Sequence, residues 1–437
     1  MTNLHFNTLK RHGPGLLLLA VISGLFVMAI PPAQAQMAQE HVFYNFMGYG
    51  WQPPDGENPT ANLIVDGNGN LYGTTQVGGA NNWWGTVFKI TPGGQETVLY
   101  SFTGGIDGAV PAAGLFRDVQ GNLYGTTVSG GAATYGTVYM VTPAGAESVL
   151  YSFQGANAGD GKNPWGNLFR DAGGNFYGTT CEGGSTGNGA YPNGYGTIFK
   201  LSPNGEGGYN ETVLYKFTGT SGKQKDGWCP RGGLIRDANG NFYGTTIAGG
   251  NGPCFYGCGT LFEFSRVDAA GNYKEMLLWS FQNAGFDGST PYGDLVREPS
   301  TGKLYGTACQ GGHWGSGTVF VYSPWAGVTA LHSFGNGADG SCPMAGLIQD
   351  ANGNLYGTTS AGGAFGLGTV FEFTNPTNPT PPPVEVVLWS FRGAPDGADP
   401  EGALLLDSNG TLWGTTFSGG SGLDPQKITC GTIFSIP

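Results

Sequence analysis

The sequence predicts an all-β protein, a seven-bladed β-propeller with four-stranded blades. A five-residue sequence motif, LYGTT, which we call the YGTT word after its last four residues, occurs seven times, identically or in close variants. Consecutive copies lie 51 to 66 residues apart, which is the spacing of propeller and solenoid repeats. The composition, with 82 glycines and 13% aromatic residues, is typical of a turn-rich folded chain rather than a disordered one. The two ends of the repeat array complement each other, which predicts a closed ring.

Each repeat carries the signals of four short strands separated by turns. The first strand is of the GLFRD type, the second NLYGTT, the third GTVFKI and the fourth TVLYSF. A D-x-x-G-N turn, a Gly-Gly loop and a turn that begins with serine or threonine, [ST]-P-x-G, separate them. A D-G-x-x-P motif opens each crossing into the next repeat, and its aspartates are Asp55, Asp107, Asp160, Asp226, Asp287, Asp339 and Asp396. We therefore expect blades built as four-stranded antiparallel sheets, without helices.

The ends of the array predict how the ring closes. The seventh repeat ends with GTIFSIP after its third strand, whereas HVFYNF at residues 41–46 has the pattern of a fourth strand but precedes the first repeat. An open solenoid would need two separate caps. We therefore expect residues 41–46 to pair with residues 431–436 and to complete the last blade.

The glycine inside the YGTT word predicts close packing near the ring axis. We expect YGTT to be the second strand from the centre, where glycine lets an aromatic ring of a neighbouring blade lie on the backbone. The two threonines would keep this surface small. Because all seven repeats carry the word, we interpret it as packing rather than catalysis.

Residues 1–35 have the pattern of a secretory signal peptide. Basic residues at 10–12 precede an apolar run at 15–30 and the Ala33-Gln34-Ala35 sequence, which predicts cleavage before Gln36. The alternative is an uncleaved membrane anchor, for which the run is short. We expect residues 36–437 to form one propeller domain, a monomer without a membrane span. The formal net charge of −12 makes nucleic acid and anionic membranes poor partners.

The positions of the cysteines predict disulfides, which an exported chain can form. Cys181 and Cys309 directly follow the YGTT-type word, and Cys229 and Cys342 both precede the proline of D-G-x-x-P. These matched positions indicate one inter-blade bridge used twice, and "CFYGC" indicates a small loop. The predicted bridges are Cys181–Cys229, Cys309–Cys342 and Cys254–Cys258. Cys430 remains as the odd cysteine, either buried or used in an intermolecular bond.

The repeat unit GNLYGTT…GG…GTVF…TP.G…VLYSF resembles the Gloeo-Verruco (GloVer) repeat family of secreted bacterial proteins, over nearly the whole of residues 36–437. The resemblance implies bacterial export and tandem repeats, and hence a secreted, periplasmic or cell-surface protein. It implies no catalytic residues. Members of the family often end in a surface-anchoring segment, whereas this sequence ends inside a repeat. We therefore expect a released or periplasmic protein as readily as an anchored one.

Antiparallel order places the second-to-third loops and the D-G-x-x-P crossings on one face, which we call the loop face. Binding residues usually lie on loops held by a rigid scaffold. The residue after each D-G-x-x-P varies where the framework is constant: Thr60, Ala112, Trp165, Arg231, Tyr292, Met344 and Glu401. Residues that only pack blades should be the same in every repeat, whereas residues of a ligand site should differ between repeats. The alternative is that the aromatic residues on this face only pack the loops. The candidate ligand-binding residues are Trp165, Tyr191, Trp228, Arg231, Tyr256, Tyr292, His313 and Trp314.

Two functional classes stay open. The first, which we prefer, is a secreted or cell-surface binding or scaffold module for a glycan or peptide on the loop face. The second is a carbohydrate-active enzyme, a glycosidase or lyase, using carboxylates on that face. The sequence has no H-E-x-x-H, G-x-S-x-G or phosphate-loop motif, so we predict no catalytic residue and no cofactor.

Two sets of recurring charged residues need an interpretation. The D-G-x-x-P aspartates could surround the channel mouth and bind Ca²⁺, but we favour a turn role, in which aspartate bonds its own backbone. Arginines recur at one position of the first strand and predict structural ion pairs or hydrogen bonds with neighbouring carboxylates. They are Arg117, Arg170, Arg236 and Arg297.

Overall fold

A computed structural model describes residues 39–48, 55–81, 83–185, 193–205, 208–219, 225–268, 272–374, 384–422 and 429–437. The predicted signal peptide lies outside these residues. Within them the chain is all β apart from a 3₁₀ turn at Ala156–Ala158. None of the helical segments in the same residues is long and apolar enough to cross a membrane.

Seven four-stranded antiparallel sheets form the seven blades of a ring, which confirms the predicted fold. In blades one to six the strands follow chain order from the inside outwards. Blade one contains Ile64–Val65, Leu71–Thr75, Thr86–Ile90 and Glu96–Ser101, and blade two contains Phe116–Arg117, Leu123–Thr127, Thr137–Val141 and Glu147–Ser152. Blade three contains Phe169–Arg170, Phe176–Thr180, Thr197–Pro203 and Tyr209–Lys216, and blade four contains Ile235–Arg236, Phe242–Thr246, Thr260–Arg266 and Tyr273–Ser280. Blade five contains Val296–Arg297, Leu304–Ala308, Thr318–Ser323 and Gly327–Ser333, and blade six contains Ile348–Gln349, Leu355–Thr359, Thr369–Phe373 and Glu385–Ser390.

Blade seven closes the ring as predicted. Its strands are Leu405–Leu406, Leu412–Thr416, Thr432–Ile436 and the N-terminal His41–Asn45. The N-terminal strand pairs antiparallel with Thr432–Ile436, with His41 opposite Ser435 and Asn45 opposite Thr432. The edge that the last repeat would otherwise leave open is therefore covered by the other end of the described chain.

The glycine of the YGTT word makes room for a ring of its own blade, so the expectation of a neighbouring blade's ring was wrong. Gly73 lies directly opposite Phe88 of the third strand. A Cβ added to Gly73 would lie 2.6 Å from the Cζ atom of Phe88. Opposite residues of adjacent strands are too close for a large ring to stand beside another side chain. The neighbouring blade contributes on the other side, where Phe46 packs against Phe88 at a centroid distance of 5.2 Å.

The threonines of the word do more than keep the surface small, because their buried hydroxyls form hydrogen bonds. In blade one, Thr75 shares a hydrogen bond of 2.8 Å with Thr86 of the third strand. Thr74 donates to the carbonyl of Ala113 in the next blade, at 3.3 Å. The word therefore encodes contacts both within and between blades.

Short strand pairs show that the crossings and the second-to-third loops share a face, as predicted. Three such pairs are Gly56–Glu57 with Val77–Gly78, Gly161–Lys162 with Glu182–Gly183, and Gly397–Ala398 with Ser418–Gly419. Isolated bridges, such as Trp228 with Ala248, occupy the equivalent place in other blades. Each crossing thus begins on the loop face and leads into the innermost strand.

All three predicted disulfides are present: Cys181–Cys229, Cys309–Cys342 and Cys254–Cys258. Cys430 is buried and lies outside these bridges, which agrees with the first of its two predicted states. The two long bridges join the residue after the YGTT-type word to the residue before the proline of the next crossing. They therefore link blade three covalently to blade four, and blade five to blade six.

Asparagine makes the same inter-blade contact where cysteine is absent. The Nδ2 atom of Asn58 donates to the carbonyl of Phe417 at 2.9 Å, and that of Asn163 donates to the carbonyl of Val128 at 2.8 Å. The residue before the proline has a positive φ in all seven crossings, between 52° and 59°, a conformation that asparagine tolerates better than most residues. These residues are Asn58, Val110, Asn163, Cys229, Thr290, Cys342 and Asp399.

Candidate functional site

The seven variable positions after the D-G-x-x-P motifs converge on one cavity of about 120 Å³, which we call the central pocket. Because each of these residues begins the inward run of a crossing, the pocket lies where the seven crossings meet, on the loop face. Its wall includes all seven: Thr60, Ala112, Trp165, Arg231, Tyr292, Met344 and Glu401. The sequence analysis identified these positions as the break in symmetry, and the fold brings them together.

A second set of residues, two positions further along each crossing, forms a polar network below the first. The Oδ1 atom of Asn167 accepts the N–H of Gly114 at 2.6 Å, and Asp294 accepts the N–H of Gly233. The Nδ2 atom of Asn167 donates to Asp294 at 2.6 Å, across the intervening blade. On the other side, Asn62 accepts the N–H of Ala403 at 3.0 Å.

This network was not predicted, although the sequence contains a signal for it. Polar residues alternate with small ones at this position from blade one to blade six, and blade seven has a small residue, because a polar side chain from one blade reaches the backbone of the blade before it. The seven residues in order are Asn62, Gly114, Asn167, Gly233, Asp294, Gly346 and Ala403. A Cβ at Gly114 would lie 2.8 Å from the Oδ1 atom of Asn167, so the small residues are needed where the polar ones reach across.

Arg231 is held against two aromatic rings of the pocket wall. Its guanidinium carbon lies 3.9 Å from the ring centroid of Trp165 and 5.2 Å from that of Tyr292. Burial lowers the pKa of Arg231, and its interactions with Tyr292 and with the charge of Glu401 oppose this shift. Cation–π contacts with partly buried rings therefore replace much of its hydration.

The carboxyl groups of the pocket are shifted towards the neutral state. Burial and the charge of Asp399 raise the pKa of Glu401 to about 7, against the opposing effect of Arg231. Burial also raises the pKa of Asp294, although the hydrogen bonds that it accepts from Gly233 and Asn167 act in the opposite direction.

At the rim of the central pocket, the Nε2 atom of Gln76 donates a hydrogen bond to the hydroxyl of Thr60 at 2.8 Å.

The other predicted binding residues lie away from the central pocket. Trp228 packs edge-on against Tyr256 at 5.4 Å between centroids, and Tyr256 contacts Phe255, which is 91% exposed on the Cys254–Cys258 loop. His313 and Trp314 contact each other in the loop of blade five, with centroids 4.5 Å apart. None of these side chains lines the pocket. Tyr191 lies outside the described residues. The structure thus brings Trp165, Arg231 and Tyr292 together and separates the rest.

The D-G-x-x-P aspartates are buried between blades and do not line the pocket. Asp107, for example, accepts hydrogen bonds from the Tyr100 hydroxyl at 2.9 Å and from the N–H of Thr103 at 2.8 Å. In the other crossings a tyrosine, tryptophan or histidine of the preceding fourth strand takes the place of Tyr100. Among the described residues, no group of three or more His, Cys, Asp and Glu side chains could hold a metal ion.

In the described part of the chain the recurring first-strand arginines contact aromatic rings, and the expected ion pairs or hydrogen bonds with carboxylates are not found there. Arg117 lies over Tyr72 at 5.7 Å and Arg170 over Tyr124 at 5.4 Å, in each case a ring of the preceding blade. Arg236 and Arg297 make equivalent contacts with Phe169 and Tyr243. The faces of these aromatic rings attract a cation.

The repeats of the chain match those of a known protein family. The family model described as the Gloeobacter/Verrucomicrobia repeat matches residues 27–226 and 190–434, which confirms the resemblance inferred from the sequence. No curated protein matches the chain.

Similar solved structures include two candidate 6-phosphogluconolactonases. The one from Bacteroides uniformis ATCC 8492 is 13% identical, with a TM-score of 0.48, over 76% of this chain and 84% of its own. The one from Bacteroides fragilis NCTC 9343 is 16% identical, with a TM-score of 0.46, over 80% and 87%. The extracellular domain of a candidate one-component system from B. thetaiotaomicron is 10% identical, with a TM-score of 0.49, over 90% and 39%. At these identities and scores the matches carry no functional argument.

Proposed function

The chain belongs to the Gloeobacter/Verrucomicrobia repeat family, and we propose that it is an exported binding module whose central pocket holds a saccharide. The observation that carries this proposal is the convergence of the seven variable crossing positions on one cavity. Positions that only pack blades should be alike in every repeat. Here the pocket positions are threonine, alanine, tryptophan, arginine, tyrosine, methionine and glutamate, in a framework that otherwise repeats.

The chemistry of the lining favours a saccharide. The amide groups of Asn62 and Gln76 and the hydroxyl of Thr60 can donate to and accept from sugar hydroxyls, beside the rings of Trp165 and Tyr292. The pocket is small, with a volume of about 120 Å³, and therefore suits one sugar residue presented as a chain end or a branch rather than a longer segment of a glycan.

Export is supported by the three disulfides, which form and persist in oxidising compartments. The signal-peptide pattern of residues 1–35 points the same way. A saccharide of the cell surface or of the surrounding medium would meet a protein of that location.

Binding fits the pocket better than hydrolysis does. A glycosidase needs two carboxyl groups that flank the bond to be cleaved. The pocket lining includes Glu401 and Asp294, and the raised pKa of Glu401, about 7, suits a general acid. Both oxygens of Asp294, however, already accept hydrogen bonds, from Gly233 and from Asn167. It is therefore poorly placed to act as a nucleophile or base.

A glycan array combined with turnover assays on the same polysaccharides tests the proposal. We expect binding without product, and at least a tenfold loss of affinity in Trp165→Ala and Tyr292→Ala. Trp314→Ala is the matched control, since Trp314 is 53% exposed on a separate loop. Affinity that survives both pocket substitutions but is lost in the control would refute the site, and product formation would support the enzyme alternative.

A further inference from the structure

We infer that the central pocket selects a sugar that carries a carboxylate, that is, a uronic acid residue at the end or branch of a glycan. This inference rests on the proposed saccharide site and concerns its specificity. It starts from Arg231, the only charged residue other than Glu401 among the seven variable positions.

The contacts of Arg231 leave its hydrogen-bonding edge available. With its guanidinium carbon 3.9 Å from the ring centroid of Trp165, the group lies over the face of the indole. The five N–H donors of a guanidinium lie in its plane, so a ring against its face does not block them. These donors suit a planar acceptor such as a carboxylate, which arginine binds through two parallel hydrogen bonds.

The charge of Arg231 is not neutralised by contact with the protein. The ion pairs within 4 Å in the described part of the chain are Lys162–Glu182 and His332–Asp339. Glu401 influences Arg231 through its charge, but it lies beyond ion-pair contact and is itself shifted towards neutrality. A half-buried cation without a contacting anion has lost part of its hydration without compensation from an opposite charge. A ligand carboxylate would supply that anion, whereas a neutral sugar would not.

The remaining wall suits the hydroxylated part of such a ligand. Gln76 and Thr60 form a hydrogen-bonded pair at the rim, and the carboxamide of Asn62 lies in the same blade. These groups belong to blade one and Arg231 to blade four, so they line different sides of the pocket. A sugar acid offers both kinds of partner in one residue. A peptide carboxyl terminus would offer the carboxylate but fewer hydroxyls.

Calorimetric titration with matched sugars tests the inference. The probes are galacturonic acid, galactose and the methyl ester of galacturonic acid, which keeps the shape but not the charge. At pH 6 we expect the acid to bind at least tenfold more tightly than the other two. Arg231→Gln should remove this preference. Arg392→Gln is the matched control, because Arg392 lies over the ring of Trp389 at 5.0 Å, outside the pocket.

We expect Glu401→Gln to increase the affinity for galacturonic acid, a result that misfolding of the variant could not produce. Ionised Glu401 repels a carboxylate, so affinity of the wild-type protein for galacturonic acid should fall as the pH rises from 6 to 8.5. The variant should keep its pH 6 affinity over this range and bind more tightly than the wild type at pH 8.5.

The outcomes separate this inference from the proposed function. Equal binding of acid, ester and galactose, with loss in Trp165→Ala, overturns the carboxylate preference and leaves the saccharide site standing. Tighter binding of a peptide carboxyl terminus than of any sugar acid overturns the saccharide assignment. Absence of binding by every saccharide overturns both.

Discussion

Stability should depend on pH through six glutamates at the outer blade interfaces, one of them buried and five half-buried. Each lies just before a fourth strand or within its first three residues, beside the aspartate of a D-G-x-x-P crossing. In all six the Oε1 atom is buried without a hydrogen-bond partner in the described part of the chain. They are Glu40, Glu96, Glu147, Glu211, Glu275 and Glu385. Burial, followed by the charge of the nearby aspartate, raises the pKa of each to about 7 or 8.

Glu275 is the clearest case for a perturbation. Burial and the charge of Asp226 raise its pKa from 4.5 to about 8, against the opposing effects of Tyr215 and Lys274. The folded state therefore keeps a proton that the unfolded state loses, and the free energy of unfolding falls as the pH rises between 4.5 and about 8. The full shift corresponds to at most about 5 kcal/mol. Screening near the blade edge reduces this to roughly 1–2 kcal/mol.

Urea denaturation of Glu275→Gln at pH 5 and pH 8.5 measures the effect. Glutamine keeps the shape of the protonated acid without its charge, so we expect the variant to match the wild type at pH 5. At pH 8.5 it should be more stable by roughly 1–2 kcal/mol. Glu298→Gln, in an exposed turn where Glu298 accepts from Ser300 and Thr301, is the control. An equal change at both pH values, or a wild-type protein that is most stable at pH 8.5, would refute the reasoning.

Three further predictions follow from the blade contacts. Val110→Asn should raise the free energy of unfolding by about 1 kcal/mol, because asparagine tolerates the φ of 58° and can donate to the preceding blade as Asn58 and Asn163 do; an unchanged urea midpoint would contradict this. Replacing Cys181 and Cys229 together with serine should cost about 4 kcal/mol for a separation of 48 residues, against about 2 kcal/mol for Cys254 and Cys258 with a separation of 4; equal losses would contradict the loop-entropy account. Deleting residues 36–47 should lower the melting temperature sharply, because it exposes the edge of Thr432–Ile436; an unchanged melting temperature would argue against closure by this strand.

The sequence predicted well the features that depend on residues shared by all repeats, or on residues that differ at one position of the repeat. Strand order, ring closure and the three disulfides follow from matched positions in seven copies, and the pocket positions follow from variation at one of them. Contacts that depend on how neighbouring blades twist together were not predictable in this way. Trp228, three residues before Arg231, packs on Tyr256 instead of lining the pocket. The contact of Phe88 with the glycine of its own blade was missed for a different reason, because the repeat pattern does not show which ring fills the space beside that glycine. The Asn62–Ala403 contact joins residues that are 341 positions apart.

A crystal structure of the protein with bound galacturonic acid tests the central claim most directly. The account predicts the sugar in the central pocket, with its carboxylate on the guanidinium of Arg231 and its hydroxyls towards Gln76 and Asn62. Sugar bound elsewhere, for example on the exposed Phe255 and Tyr256 rings, with the central pocket holding only solvent, would contradict it.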